Sequence, residues 1–410
     1  MSAVVDTRGK VTTSVLMKMK KEGFSLPKIK KMKVQFFIKN AVLFLAVTLS
    51  ACQQKDNKEE LKDWAIGPFV RPKNINPLII PSQITFYCPV TEDTIPWENG
   101  DTFNPAATIK NDTISILYRA EDQSGQGIGK RTSRIGLAQS INGVNIIKKA
   151  KSPVLYPNKD AQQELEWPGG CEDPRVAVTE DGTYIMLYTQ WNRKQARLAV
   201  AHSKDLIHWE KFGPAFQKAY NGKFANIFSK SASIVTSLKN DRLVITKVNG
   251  KYLMYWGERH VYTATSTDLI NWEPLVDDNL ELIPLASPRN GYFDSELTEC
   301  GPPAVLTNNG IVLIYNGKNK AGKDGDSTFT ANAYCAGQFL FDKNNPTQVL
   351  DRLDKPFLVP SEDFEKSGQY PSGTVFTEGL VYKEGKWFLY YGCADSRVAV
   401  AVSSPEIENR

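Results

Sequence analysis

Short apolar segments that end in tyrosine recur along the chain from about residue 91 onward. Each follows a turn signal, such as an Asn-Gly or Asp-Gly pair, that accepts the positive φ angles of a tight hairpin turn. Within each segment the residues alternate in polarity or run apolar, as is typical of β-strands. The segments are ISILY (114–118), YIMLY (184–188), YLMY (252–255), IVLIY (311–315) and WFLYY (387–391).

The repeat predicts an all-β fold. In four of the five copies a second strand ending in small residues follows, and amphipathic helical periodicity is almost absent. The tyrosines lie roughly 60–75 residues apart, longer than the ~40–50 residues of simple propeller blades, so the extra length is expected in loops. Five radial sheets of about four strands, a five-bladed β-propeller, fit this pattern. A β-sandwich is the alternative, but it does not predict five copies of one motif.

The N-terminal residues differ from the rest of the chain. Lys33 and Lys39 precede a short apolar run at 41–47, and 49–52 (LSAC) resembles a bacterial lipobox. We predict that residues 1–52 are an upstream extension plus a signal peptide, with Met32 as the natural start and a lipid on Cys52. A buried core helix is the alternative. An exported lipoprotein in the periplasm or at the outer membrane, possibly at the cell surface, would contact membrane only through its lipid anchor.

The predicted leader also accounts for the basic charge. Residues 1–51 carry ten Lys and Arg and two acidic residues, so their removal changes the formal net charge from +5 to about −3. A nucleic-acid partner therefore loses its main support. Residues 53–90, which are charged and then Pro-rich, are predicted to be a tether and packing segment, and 91–410 the catalytic propeller.

Metal chemistry is not expected in the mature chain. Five cysteines remain after Cys52, none of them in a CxxC pair, and the chain has three histidines. One disulfide is possible, but its pairing does not follow from the sequence, and the oligomeric state does not either. We therefore expect no metal and no cofactor.

Acidic residues precede or follow the repeated strands, at places that a propeller would bring to one central mouth. The runs are GDTFNPA (100–106), YRAED (118–122), GGCEDPR (169–175), WGERH (256–260), ELTECGPP (296–303) and YGCAD (391–395). Taken singly, such acids are usually solvated or paired with arginine. Together with nearby aromatic residues they suit inverting cleavage of a glycosidic bond, which needs an acid and a second carboxylate to activate water.

The chain resembles glycoside hydrolase family 130 at these residues, from Asn104 to Ala401. The most specific parts are EDPR (172–175), GPP (301–303) ahead of a Gly-led strand, and YYGCAD (390–395). The resemblance implies a five-bladed propeller that acts on β-mannosides with inversion and without a metal. Many members are phosphorylases that release mannose 1-phosphate, whereas a subset hydrolyses β-1,2-linked mannosides.

The resemblance also implies roles for individual residues. Asp173 corresponds to the general acid, whose proton passes through a sugar hydroxyl in some members; an ion pair with Arg175 is the structural alternative for this carboxylate. The residues expected to bind the mannose are Asn104, Arg119, Asp122, Arg175 and Asp395.

Departures from the phosphorylase pattern favour water over phosphate. Asn316 stands where phosphorylases carry the histidine of a Tyr-His-Gly motif, and Glu258 and Glu299 stand where phosphate-binding groups are expected. A carboxylate repels phosphate but is a suitable base for water. We therefore predict an inverting exo-β-mannosidase that releases mannose from β-1,2-linked glycans, with Glu258 and Glu299 activating water.

Two alternatives remain open from the sequence. The first is a β-mannoside phosphorylase that releases mannose 1-phosphate, in which Lys230, Arg259 and His260 would form the anion site. The second is a propeller lipoprotein that binds mannose-containing oligosaccharides without cleaving them.

Overall fold

The computed structural model describes residues 61–403, which form an all-β fold. The predicted signal peptide, Cys52 and the start of the predicted tether lie outside the described residues. Within residues 61–403 no helix is long and apolar enough to span a membrane. The five cysteines in this range are buried and unpaired.

Twenty-five strands make up nearly all of the regular structure between residues 61 and 403. In chain order they are β1 Phe69–Val70, β2 Thr85–Cys88, β3 Asp93–Pro96, β4 Asp101–Lys110, β5 Thr113–Glu121, β6 Ser133–Ser140, β7 Ile146–Lys149, β8 Gly170–Val178, β9 Tyr184–Trp191, β10 Ala196–Ser203, β11 Glu210–Pro214, β12 Ala232–Lys239, β13 Arg242–Ile245, β14 Lys247–Val248, β15 Lys251–Trp256, β16 Tyr262–Ser266, β17 Glu273–Pro274, β18 Leu297–Cys300, β19 Ala304–Leu306, β20 Ile311–Lys318, β21 Tyr334–Phe341, β22 Val349–Arg352, β23 Val375–Lys383, β24 Lys386–Cys393 and β25 Arg397–Ser403. The helical elements are one turn of α-helix, α1 Gln163–Glu166, and two 3₁₀ segments, Ala219–Gly222 and Asp363–Glu365.

Consecutive strands pair antiparallel in successive groups. The groups are β4 to β7, β8 to β11, β14 to β17 with β12 beside β15, β18 and β19 with β20 to β22, and β23 to β25. The described N-terminal segment completes the last group, because β1 pairs with β25 at Phe69 and Ser403. Residues far apart in sequence are thereby joined in one sheet.

Four of the five strand groups contain a tyrosine that binds the chain segment preceding that same group. In each of them the tyrosine hydroxyl donates to a buried carboxylate, and a Lys or Arg neutralises that carboxylate. The sets are Tyr118–Glu98–Lys149, Tyr188–Glu166–Lys211, Tyr315–Asp294–Arg352 and Tyr391–Glu365–Arg71, with tyrosine–acid distances of 2.7, 2.8, 2.5 and 2.7 Å. In the third copy Tyr255 donates instead to the carbonyl of Pro346. The strands continue past the tyrosines, which are therefore mid-strand residues rather than strand ends.

Strands β4, β8 and β23 pack against one another and leave almost no space between them. Residues of β4, β8 and β23, such as Ala107, Val176 and Leu380, surround a cavity of only about 10 Å³. That space is at most enough for one water molecule. A larger cavity lies near residues at the other ends of these strands.

Candidate active site

Acidic, basic and aromatic side chains line a cavity of about 280 Å³. Six of the eight predicted catalytic and sugar-binding residues contribute to its wall: Asn104, Arg119, Asp173, Glu258, Glu299 and Asp395. The other two, Asp122 and Arg175, are not part of the wall. The cavity thus brings together residues that are almost 300 positions apart in sequence.

Irregularities in strands β4 and β8 place Asn104 and Asp173 in contact. The β4–β5 register shifts between Phe103 and Pro105, and Asn104 has a φ of 46°. The β8–β9 register likewise shifts at Asp173, which has a φ of 48°. Such bulges turn a side chain away from regular sheet alternation. As a result Asn104 Nδ2 donates to Asp173 Oδ1 at 2.9 Å.

The neighbouring glycine of the YYGCAD motif is needed for this arrangement. Gly392 pairs with Phe376 in the last sheet and lies against the Asn104 side chain. A Cβ on Gly392 would come within 2.3 Å of Asn104 Oδ1, a distance that real Cβ contacts do not show. Gly392 therefore leaves the space that the Asn104 side chain occupies in the cavity wall.

Arg119 connects three carboxylates at the base of the cavity. Its Nη1 donates to Asp173 Oδ1 at 3.0 Å, and its Nη2 donates to Glu121 Oε1 at 2.6 Å and Glu172 Oε1 at 2.8 Å. The Nε donates to Ser133 Oγ at 3.0 Å. Glu121 and Glu172 were not predicted as site residues, yet both line the cavity. Three acids on one guanidinium leave this region with excess negative charge.

The pKa values of the carboxyl groups in the cavity are shifted in different directions. Burial raises the pKa of Glu172 to about 7 and that of Asp395 to about 7. Burial also opposes ionisation of Asp173, but Arg119 and Lys230 outweigh it and hold its pKa below the usual range. In the free protein Asp173 is therefore ionised, while Glu172 and Asp395 each change from protonated to ionised near neutral pH.

Lys230 lies between the two predicted water-activating residues. Its Nζ is 3.4 Å from Glu258 Oε1 and 3.4 Å from Glu299 Oε1. The Glu299 side chain is 1% exposed and accepts a hydrogen bond from Ser231 Oγ at 2.5 Å, whereas the Glu258 side chain is 35% exposed. Burial raises the pKa of Glu299. A buried, proton-accepting carboxylate and a more accessible one thus share one cation.

The two predicted residues outside the wall have other contacts. Arg175 donates to the backbone carbonyls of Asp173, Cys300 and Gly301 at 3.0, 2.9 and 3.3 Å, so it supports the chain on which Asp173 is mounted. The carboxylate of Asp173 pairs with Arg119 rather than Arg175. Asp122 accepts a hydrogen bond from Arg134 Nη1 at 2.8 Å, next to the cavity wall.

The residues expected to distinguish phosphate from water occupy different places. Asn316 is fully buried and outside the wall, and its side chain bonds both the N–H and the carbonyl of Thr377 at 2.7 and 3.1 Å. His260 contacts Ser287 Oγ at 2.8 Å. Of the three possible anion ligands Lys230, Arg259 and His260, the cavity wall includes Lys230. No His, Cys, Asp or Glu cluster suited to a metal ion occurs among residues 61–403.

Aromatic side chains complete the wall towards solvent. Trp191, Tyr334 and Tyr370 line the cavity, and Phe228 lines it while remaining 53% exposed. Aromatic faces beside hydrogen-bonding groups suit the apolar faces and hydroxyls of a sugar. A cavity that combines carboxyl groups, cations and aromatic rings provides the acid, the base and the sugar-binding surfaces that cleavage of a glycosidic bond requires.

Comparison with known proteins identifies the family. A family model described as beta-1,4-mannooligosaccharide phosphorylase matches residues 76–409. The chain belongs to glycoside hydrolase family 130, and it is an enzyme of this family that acts on β-mannosides. The predicted family resemblance is confirmed.

Individual relatives include both phosphorylases and hydrolases. A 1,2-beta-oligomannan phosphorylase from Thermoanaerobacter sp. (strain X514) is 32% identical over 75% of this chain and 90% of its own. A solved glycosyl hydrolase from Bacteroides ovatus is 61% identical, with a TM-score of 0.83 over 85% of this chain and 96% of that one. A third structure is 58% identical, with a TM-score of 0.83 and the same coverage of 85% and 96%. It is described by the statement that the GH130 family of mannoside phosphorylases contains glycoside hydrolases that target beta-1,2 mannosidic linkages in Candida mannan.

Proposed function

We propose that the chain is an inverting, exo-acting β-mannosidase that hydrolyses β-1,2-linked mannosides of glycans and releases mannose. The observation that carries this proposal is the position of Lys230, with Glu258 and Glu299 each 3.4 Å from its ammonium group. These two carboxylates outweigh the single positive charge of Lys230, the cation that an incoming phosphate would have to use at this position. The likeness to the 58% identical structure supports the β-1,2 linkage.

Electrostatics favour water as the nucleophile in this part of the cavity. At an effective dielectric constant of about 20, Lys230 and Glu299 attract each other by about 5 kcal/mol at 3.4 Å. A phosphate dianion would have to compete with this pair and would meet the repulsion of two carboxylates. A neutral water molecule meets neither obstacle, and Glu299 can accept its proton because burial raises its pKa.

The proposed reaction transfers one proton at each end of the bond. Water attacks the anomeric carbon from the face opposite the leaving group and passes a proton to Glu299, with Glu258 orienting it. The bond from this carbon to the glycosidic oxygen breaks, and that oxygen receives a proton from Asp173, directly or through a sugar hydroxyl. The net change is the addition of water with inversion. Asp173 is ionised in the free protein, so it has to take up a proton before this step.

The remaining residues would hold the terminal mannose. Asn104 and Arg119 orient Asp173. Asp395, which lines the same cavity, would bind hydroxyls of the sugar. The close packing of β4, β8 and β23 supports an exo mode, since the space of about 10 Å³ between these strands does not let a sugar chain pass through. Phe228 and Trp191 would contact the sugar on the leaving side.

A β-mannoside phosphorylase is the second candidate function. It is favoured by the curated relative that is 32% identical and by the description of the family model. In this case Lys230 would release its carboxylates to bind phosphate, and mannose 1-phosphate would be the product. A sugar-binding protein without catalysis has no comparable support, because the acids needed for cleavage line the cavity.

The fold and location form part of the same proposal. We propose that the antiparallel groups are the blades of a five-bladed β-propeller around the cavity. The lipobox-like residues that end at Cys52 support an exported lipoprotein, in which the residues before Cys52 are removed and Cys52 carries the lipid. Residues 53–90 would then be the tether and packing segment, and 91–410 the catalytic domain. Labelling of Cys52 by radioactive palmitate in cells would test the anchor, and a Cys52→Ala variant should lose the label.

The test of the reaction is product analysis with β-1,2-mannobiose as substrate. Hydrolysis predicts free mannose at a rate that does not change when inorganic phosphate is added. Mannose 1-phosphate formed only in the presence of phosphate would establish the phosphorylase instead. Binding of the disaccharide without turnover in either condition would favour the sugar-binding protein.

A further inference from the structure

A second cavity, of about 490 Å³, lies between the segment 153–162 and the turn 207–211 and shares no lining residue with the catalytic cavity. Its volume is within the roughly 300–1,000 Å³ typical of sites that bind small molecules. Trp209 and Tyr156 are half-buried in its wall, and Ile207 beside them is 51% exposed. The reaction described above uses none of these residues. We call this space the Trp209 cavity.

An internal repeat shows that the exposure of Trp209 does not follow from its local sequence. Residues 203–209 (SKDLIHW) and 266–272 (STDLINW) form the same turn, in which the leucine has a φ of 68° in the first copy and 65° in the second. In both copies one aspartate oxygen accepts the backbone N–H groups two and three residues further on. Trp272 is nevertheless 1% exposed and belongs to a hydrophobic cluster, whereas Trp209 borders the open cavity.

The charged side chains in the wall of the Trp209 cavity compensate one another. Lys211 Nζ lies 3.2 Å from Asp160 Oδ2 and 2.6 Å from Glu166 Oε2. His208 Nδ1 lies 2.7 Å from Asp205 Oδ2. Because each charged side chain of the wall already has a partner, a neutral ligand suits this cavity better than an ionic one.

A neutral oligosaccharide is the class of ligand that fits this wall. Aromatic rings bind the apolar faces of a pyranose, and amide groups bind its hydroxyls. Trp209 and Tyr156 supply the rings, and Asn158 and Gln162 supply the amides. The Tyr156 ring also packs edge-on against Phe86, with centroids 5.4 Å apart, which holds it in place as a platform.

The Trp209 cavity lies close to the catalytic cavity. Gln190 Nε2 donates to Gln162 Oε1 at 3.1 Å, and Trp191, the residue after Gln190, lines the catalytic cavity. A glycan held in the Trp209 cavity therefore remains near the residues that cleave it. Such retention raises the effective concentration of chain ends without any new contact in the catalytic cavity.

We propose that the Trp209 cavity is a second binding site for neutral β-linked mannosides, which retains longer substrates beside the catalytic cavity. This inference rests on the proposed function for the class of sugar. The ring of Trp209 stacks on a mannose unit, and no bond is cleaved there. The site therefore acts on long substrates and not on a disaccharide that needs only the catalytic cavity.

The test compares kcat/KM for β-1,2-linked mannan and for β-1,2-mannobiose. In Trp209→Ala we expect the value for mannan to fall roughly 3- to 10-fold, mainly through KM, as for the loss of one stacked ring, and the value for mannobiose to stay unchanged. Ile207→Lys changes an exposed residue of the wall and should have the same effect without a threat to folding. Ile141→Lys is the matched control, because Ile141 is 55% exposed and lines neither cavity.

A calorimetric titration of Asp173→Asn with β-1,2-mannotetraose counts the sites directly. Two sites are expected, and one should remain when Trp209→Ala is added. A single site that Trp209→Ala leaves intact, with unchanged rates on mannan, would show that the inference is wrong while the proposed function stands. Equal losses on mannan and mannobiose would also contradict it. Phosphorolysis by the wild type would refute the proposed hydrolysis but would leave the site count and its interpretation unchanged.

Discussion

Replacement of Glu299 by Gln removes one of the two carboxylates that face Lys230 and keeps the shape of the side chain. The Glu299 carboxylate is buried, 3.4 Å from Lys230, and bonded to Ser231. At an effective dielectric constant of about 20 the lost attraction is about 5 kcal/mol. The glutamine avoids the desolvation of a carboxylate and Lys230 keeps Glu258, so the loss of stability should stay below the roughly 3–5 kcal/mol typical of breaking a buried pair.

The catalytic effect of Glu299→Gln should be larger than the effect on stability suggests. Loss of a general base lowers kcat by at least ~10²-fold, which corresponds to about 2.7 kcal/mol of barrier. Glu258→Gln should also lower the rate at least ~10²-fold if it shares the role. The assay is mannose release from β-1,2-mannobiose, with circular dichroism to verify the fold of each variant.

An anionic nucleophile gives this prediction a sharper control. Azide needs no base, and in Glu299→Gln the charge of Lys230 is less compensated. Added azide should therefore restore turnover and yield the α-mannosyl azide, while Asp173 still protonates the leaving oxygen. Asp173→Asn should show no such rescue with mannobiose. A folded Glu299→Gln enzyme within about threefold of the wild-type rate would refute the assignment of Glu299 as the base.

Three further predictions concern the acid, the pH dependence of stability and the rim of the cavity. Asp173→Asn should abolish activity on mannosides with poor leaving groups while leaving the fold intact; near-normal turnover would remove Asp173 from the acid role. Burial raises the pKa of Asp395 to about 7, so its contribution to stability is fully present at acid pH and is lost as the pH rises towards and through 7. Asp395→Asn should flatten this fall in Tm. Parallel curves of Tm against pH for the wild type and the variant would contradict the prediction. Phe228→Ala should lower kcat/KM for longer mannosides roughly 3- to 10-fold through lost stacking, whereas Tyr87→Ala, which is 61% exposed and outside the cavity wall, should have no effect.

Local chemistry made the strands predictable from the sequence. Turn pairs such as Asn249 and Gly250 adopt the positive φ angles that their residue types favour, at 52° and 83°. The tyrosines were recognisable by their recurrence, but their hydroxyls bond acids from elsewhere in the chain. Tyr391 rather than Tyr390 makes the acid contact in the last copy, while Tyr390 bonds the carbonyl of Gly143. Sequence spacing alone does not reveal which of two adjacent tyrosines faces such a partner.

Strand alternation explains why Glu121, rather than the predicted Asp122, lies in the cavity wall. Arg119 and Glu121 are two positions apart on β5 and share a face, so Glu121 joins Arg119 in the cavity. Asp122 follows on the other side and pairs with Arg134. The period-two pattern after Tyr118 is the sequence signal that identifies Glu121.

Bulges limit prediction more severely, because they break the alternation on which such reasoning depends. Asn104 and Asp173 lie at such bulges of β4 and β8, so strand alternation does not reveal that their side chains meet. The contact of Lys230 with both Glu258 and Glu299 depends on three separate segments and follows only from the folded chain.

The most direct test of the central claim is time-resolved proton NMR of β-1,2-mannobiose cleavage in phosphate buffer. An inverting hydrolase predicts that α-mannose appears first and then mutarotates, with no mannose 1-phosphate at any time. Accumulation of α-mannose 1-phosphate would show that phosphate displaces the Glu258 and Glu299 carboxylates from Lys230, and β-mannose as the first product would contradict inversion.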